Sequence, residues 1–268
     1  MKHTGILTAC TAAIALTACE KELDFRYTPI APLTVIEAEL TPSGAKVAVS
    51  LTTPMDEPMD RTLLTDATVT LLDLTDGTEC TLTPDTDGLY TSATPGITGH
   101  DYTLTVERRG QQYTANATMY PPTEITDMEF SWIRMPYDHV AVLQCQYRDL
   151  AADGIRCYWV KIYRNGKIYC WAEQDNRIAH NGICTYTTMT TRKDTDKEDD
   201  DEILYDGDKI TCTVCPVSQA MHNYLEALQN NSNGPALFAG DRCLGYFIAT
   251  SPVSASVIFR PDDLPLQE

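Results

Sequence analysis

Cys19 follows the apolar segment at the start of the chain, in a position where its thiol could carry a lipid. Lys2 gives a basic start, and the run Ile6–Leu16 is nearly uncharged. Its length is typical of a secretory core and too short to span a bilayer as a helix. The run ends in Leu16-Thr17-Ala18-Cys19, an aliphatic residue and two small residues before a cysteine. This arrangement has the form of a bacterial lipobox.

We therefore predict a lipoprotein signal peptide over residues 1–18, lipidation of Cys19 and a tether over residues 19–27. Two or three acyl chains hold a protein on a membrane durably, whereas one chain holds it marginally. Beyond the signal, no window approaches the ~18 apolar residues of a membrane-spanning helix. The alternative is an ordinary secretory peptide followed by a chance cysteine.

Eight further cysteines would remain in the mature chain. An even number in an exported protein permits disulfides, but eight cysteines allow 105 full pairings and the sequence does not choose among them. The Cys212-x-x-Cys215 pair lies in a run that alternates like a strand, so its thiols should point to opposite faces. This placement argues against a redox pair, and no second such pair supports a zinc site. The eight are Cys80, Cys145, Cys157, Cys170, Cys184, Cys212, Cys215 and Cys243.

Catalytic signals are weak. There is no Gly-x-Ser-x-Gly turn, and no histidine stands in a context that marks it as a base. His222 is expected near the polar side of a helix. A cysteine and a histidine could still meet in space, so a surface hydrolase using a Cys/His pair stays open as an alternative. We predict no catalytic residue, no cofactor and no metal site. The histidines after the signal are His100, His139, His180 and His222.

The charge balance is strongly acidic. The chain carries 20 Lys+Arg and 38 Asp+Glu, a net charge of −18. Such a chain repels phosphate backbones, so nucleic acid is not an expected partner. Seven of the acids fall between Asp194 and Glu202. The run lacks the glycine of a calcium-binding EF-hand loop, and we interpret it as a solvated loop.

Aromatic residues concentrate in the second half of the chain. The tryptophans are Trp132, Trp159 and Trp171, and several tyrosines accompany them. Cross-strand packing is the favoured explanation of the pattern. An exposed subset could form a face for a ligand or a partner protein.

The elements that position these residues are mainly β-strands. Between Pro32 and Met119, short apolar segments alternate with turn signals, and no helical period occurs. Ala45–Leu51 shows the pattern most clearly, with Val47 and Val49 on one face. About seven strands in this length predict a β-sandwich of immunoglobulin or transthyretin type over residues 28–120.

Pro121-Pro122 marks a hinge, and a second β-rich domain is predicted over residues 121–262. Asn165-Gly166 indicates a tight hairpin within it. One helix is predicted at about 218–229, because Ser218 can cap its start and apolar residues recur at helical spacing.

Several short segments together resemble a known family. In the first half they are the mature start Cys19-Glu20-Lys21-Glu22-Leu23-Asp24, Thr34-Val35-Ile36-Glu37-Ala38, Ala67-Thr68-Val69-Thr70-Leu71 and Gly99-His100-Asp101-Tyr102-Thr103-Leu104. In the second half they are Asp206-Gly207-Asp208-Lys209-Ile210, Tyr224-Leu225-Glu226-Ala227-Leu228 and Leu244-Gly245-Tyr246-Phe247. They are similar to domain-of-unknown-function family four-two-four-nine, lipoproteins of Gram-negative gut-type bacteria often encoded beside TonB-dependent receptors.

The resemblance implies a location and a partner rather than a reaction. It suggests an outer-membrane lipoprotein, held by lipid on Cys19 and facing the cell surface, that works with a TonB-dependent receptor. No catalytic residue carries over from the family. The expected function is therefore a non-enzymatic lipoprotein that binds a ligand or a partner protein in uptake. The alternatives are the Cys/His surface hydrolase and a structural or adhesive surface subunit.

Overall fold

A computed structural model describes residues 31–54, 61–134, 139–149, 154–191 and 203–267 of the chain. The predicted signal peptide, Cys19, the tether and the start of the first predicted domain therefore lie outside the described residues. The acidic run Asp194–Glu202 also lies outside the described residues, which resume at residue 203. Within the described residues, no helix has the length and apolar character needed to cross a membrane.

The described chain is mainly β, with one α-helix, which confirms the predicted fold class. The first seven strands are β1 Thr34–Thr41, β2 Gly44–Leu51, β3 Thr68–Asp73, β4 Glu79–Pro84, β5 Tyr90–Ser92, β6 Asp101–Arg108 and β7 Gln111–Thr118. The next six are β8 Glu124–Arg134, β9 His139–Arg148, β10 Cys157–Arg164, β11 Lys167–Asp175, β12 Ile183–Thr191 and β13 Lys209–Val217. The remainder are helix α1 Gln219–Gln229, β14 Ala239–Gly240, β15 Cys243–Ala249, β16 Val253–Ile258 and β17 Leu266–Gln267.

The first lobe is a nine-stranded sheet that wraps around one apolar core. Its strand order is β14-β7-β6-β3-β4-β5-β2-β1-β15. Alternate residues of β1, namely Ile36, Ala38 and Leu40, enter the core because successive side chains leave a strand on opposite faces. The wrapping brings β1 close to β7, where Thr34 Oγ1 lies 2.9 Å from Tyr113 Oη. The seven strands predicted for this region are all present.

Two strands of this sheet come from the C-terminal part of the chain. The predicted domain boundary places residues 239–249 in the second domain, whereas β14 pairs with β7 and β15 runs parallel to β1. The reason for the difference is that a parallel partner is reached through a long crossover, which leaves no local turn signal. The second predicted domain is therefore interrupted by a segment that returns to the first lobe.

The second lobe consists of two four-stranded sheets that pack face to face. Their orders are β11-β10-β13-β16 and β12-β9-β8-β17. The predicted Asn165-Gly166 hairpin joins β10 to β11, and both residues have a positive φ, of 50° and 84°. Two-residue turns of this kind match the twist of the strands that they connect. Trp132 Nε1 donates a hydrogen bond of 2.9 Å to the Pro261 carbonyl, which ties the C-terminal segment to β8.

The helix α1 packs on the outer face of β10 and β11, and it closely matches the predicted one. Ser218 Oγ accepts a hydrogen bond of 3.2 Å from Met221 N at its start. Its apolar side joins β10, β13 and β15 in a third cluster of buried residues, which we call the interlobe cluster. Its fully buried members are Cys157, Cys215, Val217, Met221, Leu225 and Ile248.

The parallel pairing of β15 with β1 predicts an unusual sensitivity at Gly245. This residue has a φ of +110°, and a Cβ there would overlap with the backbone of Ile36. We expect Gly245→Ala to lower the free energy of unfolding by about 2–6 kcal/mol, since backbone strain and overpacking each cost about 1–3 kcal/mol. Urea denaturation of the two proteins, wild type and variant, measures the change.

Gly77→Ala is the matched control. Gly77 also has a positive φ, of +77°, but a Cβ there would meet no atom within 4 Å. Only the strain of about 1–3 kcal/mol should appear. Equal losses in the two variants would show that β15 does not approach β1 as closely as described.

Candidate functional site

The structure brings together a cysteine, an acid and a histidine: Cys157, Asp175 and His222. Cys157 lies opposite Asp175 in the pairing of β10 with β11. His222 Nε2, on α1, is 4.0 Å from Asp175 Oδ2. All three residues are buried. A catalytic thiol needs a nearby base and an acid that orients the base. Among the described residues, we therefore ask whether this group could be the active site of the Cys/His hydrolase alternative.

The group lacks an activated nucleophile. The Cys157 thiol donates a hydrogen bond of 3.4 Å to Gln219 Oε1. Burial, and then the nearby Asp175 carboxylate, raises the pKa of Cys157 to about 11. Asp175 is itself bound by Arg177, whose Nε donates at 2.7 Å, and this hydrogen bond lowers the pKa of the Asp175 carboxyl. The thiolate is the reactive form of cysteine, so the surroundings hold Cys157 in its unreactive form.

The histidines are otherwise dispersed. His222 was expected near the polar side of its helix, but the helix buries that side against β11, and His222 Nδ1 has no hydrogen-bond partner among the described residues. His100 Nδ1 lies 2.8 Å from Asp73 Oδ2 in the first lobe. His180 is exposed in the turn before β12, and the side chain of His139 lies outside the described set.

Cys212 and Cys215 lie on opposite faces of their sheet, as the strand pattern predicts. Cys212 packs in the core of the second lobe, and Cys215 packs in the interlobe cluster. A dithiol pair of the thioredoxin kind needs both sulfurs on one side. The spacing of these two cysteines therefore reflects the alternation of β13.

The described residues include one group with the spacing of metal ligands: Asp73, Asp76 and His100, whose donor atoms lie within 4.8 Å of one another. No metal site is predicted from the sequence, and the carboxylates of this group already have partners in the turn after β3. Asp73 Oδ1 accepts a hydrogen bond of 2.9 Å from Thr75 N, and Asp76 Oδ1 accepts one of 2.8 Å from Thr78 N. We assign the group a structural role in ordering the turn.

Four half-buried aromatic residues line the interlobe cluster, and we call them the aromatic cluster: Trp159, Trp171, Tyr224 and Tyr246. The Trp159 ring meets those of Trp171 and Tyr246 edge to face, with centroids 6.2 and 5.6 Å apart. Lys161 Nζ lies 3.9 Å from the centroid of the Trp159 ring and covers one face of it. This packing favours the cross-strand explanation, since edge-to-face contacts and a cation occupy the ring surfaces.

An open cleft lies beside the aromatic cluster, on the outer face of β1, β2 and β5. Its volume is about 430 Å³, which is in the range of small-ligand sites. Glu39, Lys46 and Thr91 form a row across these strands, because Glu39 pairs with Lys46 and Lys46 with Thr91. We call it the hairpin cleft, and its lining consists of Glu39, Thr41, Ser43, Gly44, Ala45, Lys46, Thr91, Ser92 and Ala93.

The hairpin cleft combines a carboxylate, an ammonium group and several hydroxyls. Glu39 Oε2 is 3.8 Å from Lys161 Nζ, and Lys161 in turn covers the Trp159 ring of the aromatic cluster. Glu39 therefore connects the cleft to that cluster. Such a lining can hold a ligand by paired charges and hydrogen bonds, but it contains no thiol or imidazole. The cleft is not predictable from the sequence, because polar residues at the outward positions of β1 and β2 are equally typical of an ordinary solvated sheet face.

The environment of Cys157 predicts slow alkylation of the native protein. A thiol of pKa about 11 is about one part in a thousand thiolate at pH 8, whereas a free cysteine of pKa ≈ 8.5 is about a quarter thiolate. We expect iodoacetamide at pH 8 to modify Cys157 at least about 200-fold more slowly in the native protein than in urea. Peptide mass spectrometry at timed intervals measures the two rates. Native labelling as fast as in urea would restore the hydrolase alternative.

Comparisons with known proteins identify a family. The profile of "Domain of unknown function (DUF4249)" matches residues 20–254. No curated protein matches the chain. Among solved structures, a segment of two fibronectin type-III domains from chicken tenascin aligns at 10% identity, covering 85% of this chain and 99% of that chain with a TM-score of 0.24. The profile covers most of the chain and confirms the resemblance found in the sequence. The protein thus belongs to the family of Domain of unknown function (DUF4249).

Proposed function

We propose that the protein is a non-enzymatic outer-membrane lipoprotein, anchored by lipid on Cys19 and facing the cell surface, that binds a ligand or a partner protein. We propose further that it assists a TonB-dependent receptor in uptake. The observation that carries the binding proposal is the hairpin cleft of about 430 Å³, lined by a carboxylate, an ammonium group and hydroxyls. A cleft with these groups, and with no thiol or imidazole in its lining, is suited to recognition.

The charge of the chain limits what can bind. At −18 the protein repels strongly anionic molecules, and nucleic acid is not among the proposed ligands. The hairpin cleft itself presents both signs of charge, through Glu39 and Lys46. It is therefore suited to a neutral or zwitterionic group, or to a protein surface that offers complementary charges.

The location rests on the N-terminal sequence, and the receptor on the family resemblance. Leu16-Thr17-Ala18-Cys19 supplies the lipobox, and the acids directly after Cys19 resemble a surface-export signal. The resemblance to lipoproteins encoded beside TonB-dependent receptors supports a receptor as the partner.

One observation limits the adhesive alternative at the β1 edge, although β15 then becomes the end strand of the sheet. A subunit that polymerises by strand exchange needs a sheet edge that accepts a strand from another chain. Next to β1, this position is filled by β15 of the same chain, in a parallel register from Thr34 with Cys243 to Leu40 with Ala249. The first lobe is therefore completed by its own C-terminal segment at this edge.

The anchor predicts a clear difference between two cysteine variants. We expect Cys19→Ala to abolish the lipid and release the mature protein from the membrane fraction, because no acyl chain then holds it. Cys10→Ala, which removes a cysteine within the predicted signal, should leave anchoring unchanged. Mass spectrometry of the processed N-terminus and membrane fractionation give the readout. A membrane-bound Cys19→Ala protein would contradict the proposal.

The cleft predicts a charge-specific loss of binding. We expect tagged wild-type protein to co-purify a TonB-dependent receptor from detergent-solubilised outer membrane. Lys46→Glu should reduce the recovered receptor at least about tenfold, since a loss of about 1.4 kcal/mol has that effect on an equilibrium. Quantitative mass spectrometry of the eluted proteins measures the recovery.

Lys167→Glu is the matched control for this experiment. It makes the same change of charge at an exposed residue on β11, which does not line the hairpin cleft. Recovery should stay near the wild-type level. Absence of any receptor would overturn the partnership, and an equal reduction by both variants would overturn the assignment of the cleft.

A further inference from the structure

Two cysteines face each other across the second lobe. Cys145 lies on β9, where it pairs with Met128 and Tyr186 in its own sheet. Cys212 lies on β13, in the opposite sheet, where it pairs with Ile162. Both side chains are 0% exposed and belong to the same core cluster. The alternation of the two strands therefore directs both thiols into the space between the sheets.

Both cysteines are free thiols in the structure, and their side chains are close enough to interact. A hydrogen bond between Cys145 and Cys212, together with burial, raises the pKa of Cys212 above that of a free thiol. The other cysteines of this lobe have different neighbours. Cys170 Sγ lies 3.6 Å from Tyr186 Oη, Cys184 contacts Tyr147, and Cys215 points to the opposite face of its sheet.

We propose that Cys145 and Cys212 form a disulfide that joins β9 to β13 across the core of the second lobe. The pairing rests on the proposed function in one respect, because a lipoprotein exported to the outer membrane passes through a compartment where disulfides form. The eight mature cysteines allow 105 full pairings. The position of both side chains in one core, on opposed strands, selects this pair from among them.

The reaction is a two-electron oxidation by an external disulfide, carried by a thiol oxidoreductase or a small-molecule disulfide. The thiolate of one cysteine attacks the oxidant and forms a mixed disulfide, and the second thiolate then displaces the oxidant. In total, two S–H bonds break and one S–S bond forms. Two protons leave, and the two electrons reduce the disulfide of the oxidant to two thiols.

The burial of both sulfurs fixes when this reaction occurs. An oxidant cannot reach side chains that are 0% exposed, and the raised pKa of Cys212 keeps its thiol protonated in the folded protein. The bond therefore forms before the two sheets close on each other. Once formed, it is shielded from reductants by the same packing.

The test uses the whole mature chain with Cys19→Ala, refolded in a glutathione redox buffer, so that it depends on neither anchoring nor a receptor. Free thiols are alkylated in denaturant before and after reduction. We expect two of the eight thiols to be protected until reduction, and a tryptic cross-link between residues 135–148 and 210–242. Reduction should lower the melting temperature by roughly 10 °C, since a disulfide that closes a loop of this length stabilises by constraining the unfolded chain.

Matched variants assign the bond, because residues 210–242 contain both Cys212 and Cys215. Cys215→Ala should retain the cross-link, and Cys212→Ala should lose it. The wild-type cross-link map remains decisive if Cys212→Ala does not fold. Eight alkylated thiols without reduction, or a bond between any other two cysteines, would overturn the pairing. Neither result depends on the binding experiments that test the proposed function.

Discussion

Strand β15 runs parallel to β1 and presents its two faces to two different cores. Phe247 and Ala249 enter the core of the first lobe, while Ile248 and Tyr246 on the opposite face join the interlobe cluster. A single strand thus contributes apolar area on both sides, as buried strands of parallel pairs do. The approach is close enough that only glycine fits at residue 245. The pairing holds this part of the C-terminal segment against β1 and thereby places Tyr246 and Ile248 at the junction of the lobes.

The outward face of β1 forms an ion pair with the second lobe. Glu39 points away from the first core and meets Lys161 of β10, which is only 8% exposed and lies over the Trp159 ring. A buried ammonium group needs such partners, since leaving it unpaired in a dry environment is costly. The ion pair and the cation–π contact therefore specify how β10 lies against β1. Glu39 takes part in this contact and also lines the hairpin cleft.

Local sequence patterns predicted most of the strands and the helix. They did not predict which distant strands pair with each other. The alternation of Ala45–Leu51, the Asn165-Gly166 turn and the Ser218 cap each depend on residues a few positions apart, and the structure contains all three features. The partner of β15 could not be inferred in this way, because its register with β1 is set by contacts across about 200 residues of sequence. The hairpin cleft was missed for a related reason. Its polar residues occupy ordinary outward positions, and only the relation of three strands makes them a cleft.

The cysteines of the described residues all lie in strands and are buried or half-buried. Burial is the main cause that raises the pKa of Cys157, Cys184 and Cys243 to about 11. A small, buried thiol behaves as an apolar side chain, and its protonated form is a poor nucleophile. These buried thiols therefore contribute to packing. Where two of them lie on opposed strands, as Cys145 and Cys212 do, they can also form the proposed disulfide. The charges and hydroxyls that line the hairpin cleft are groups that can recognise another molecule, and they support the proposal of binding.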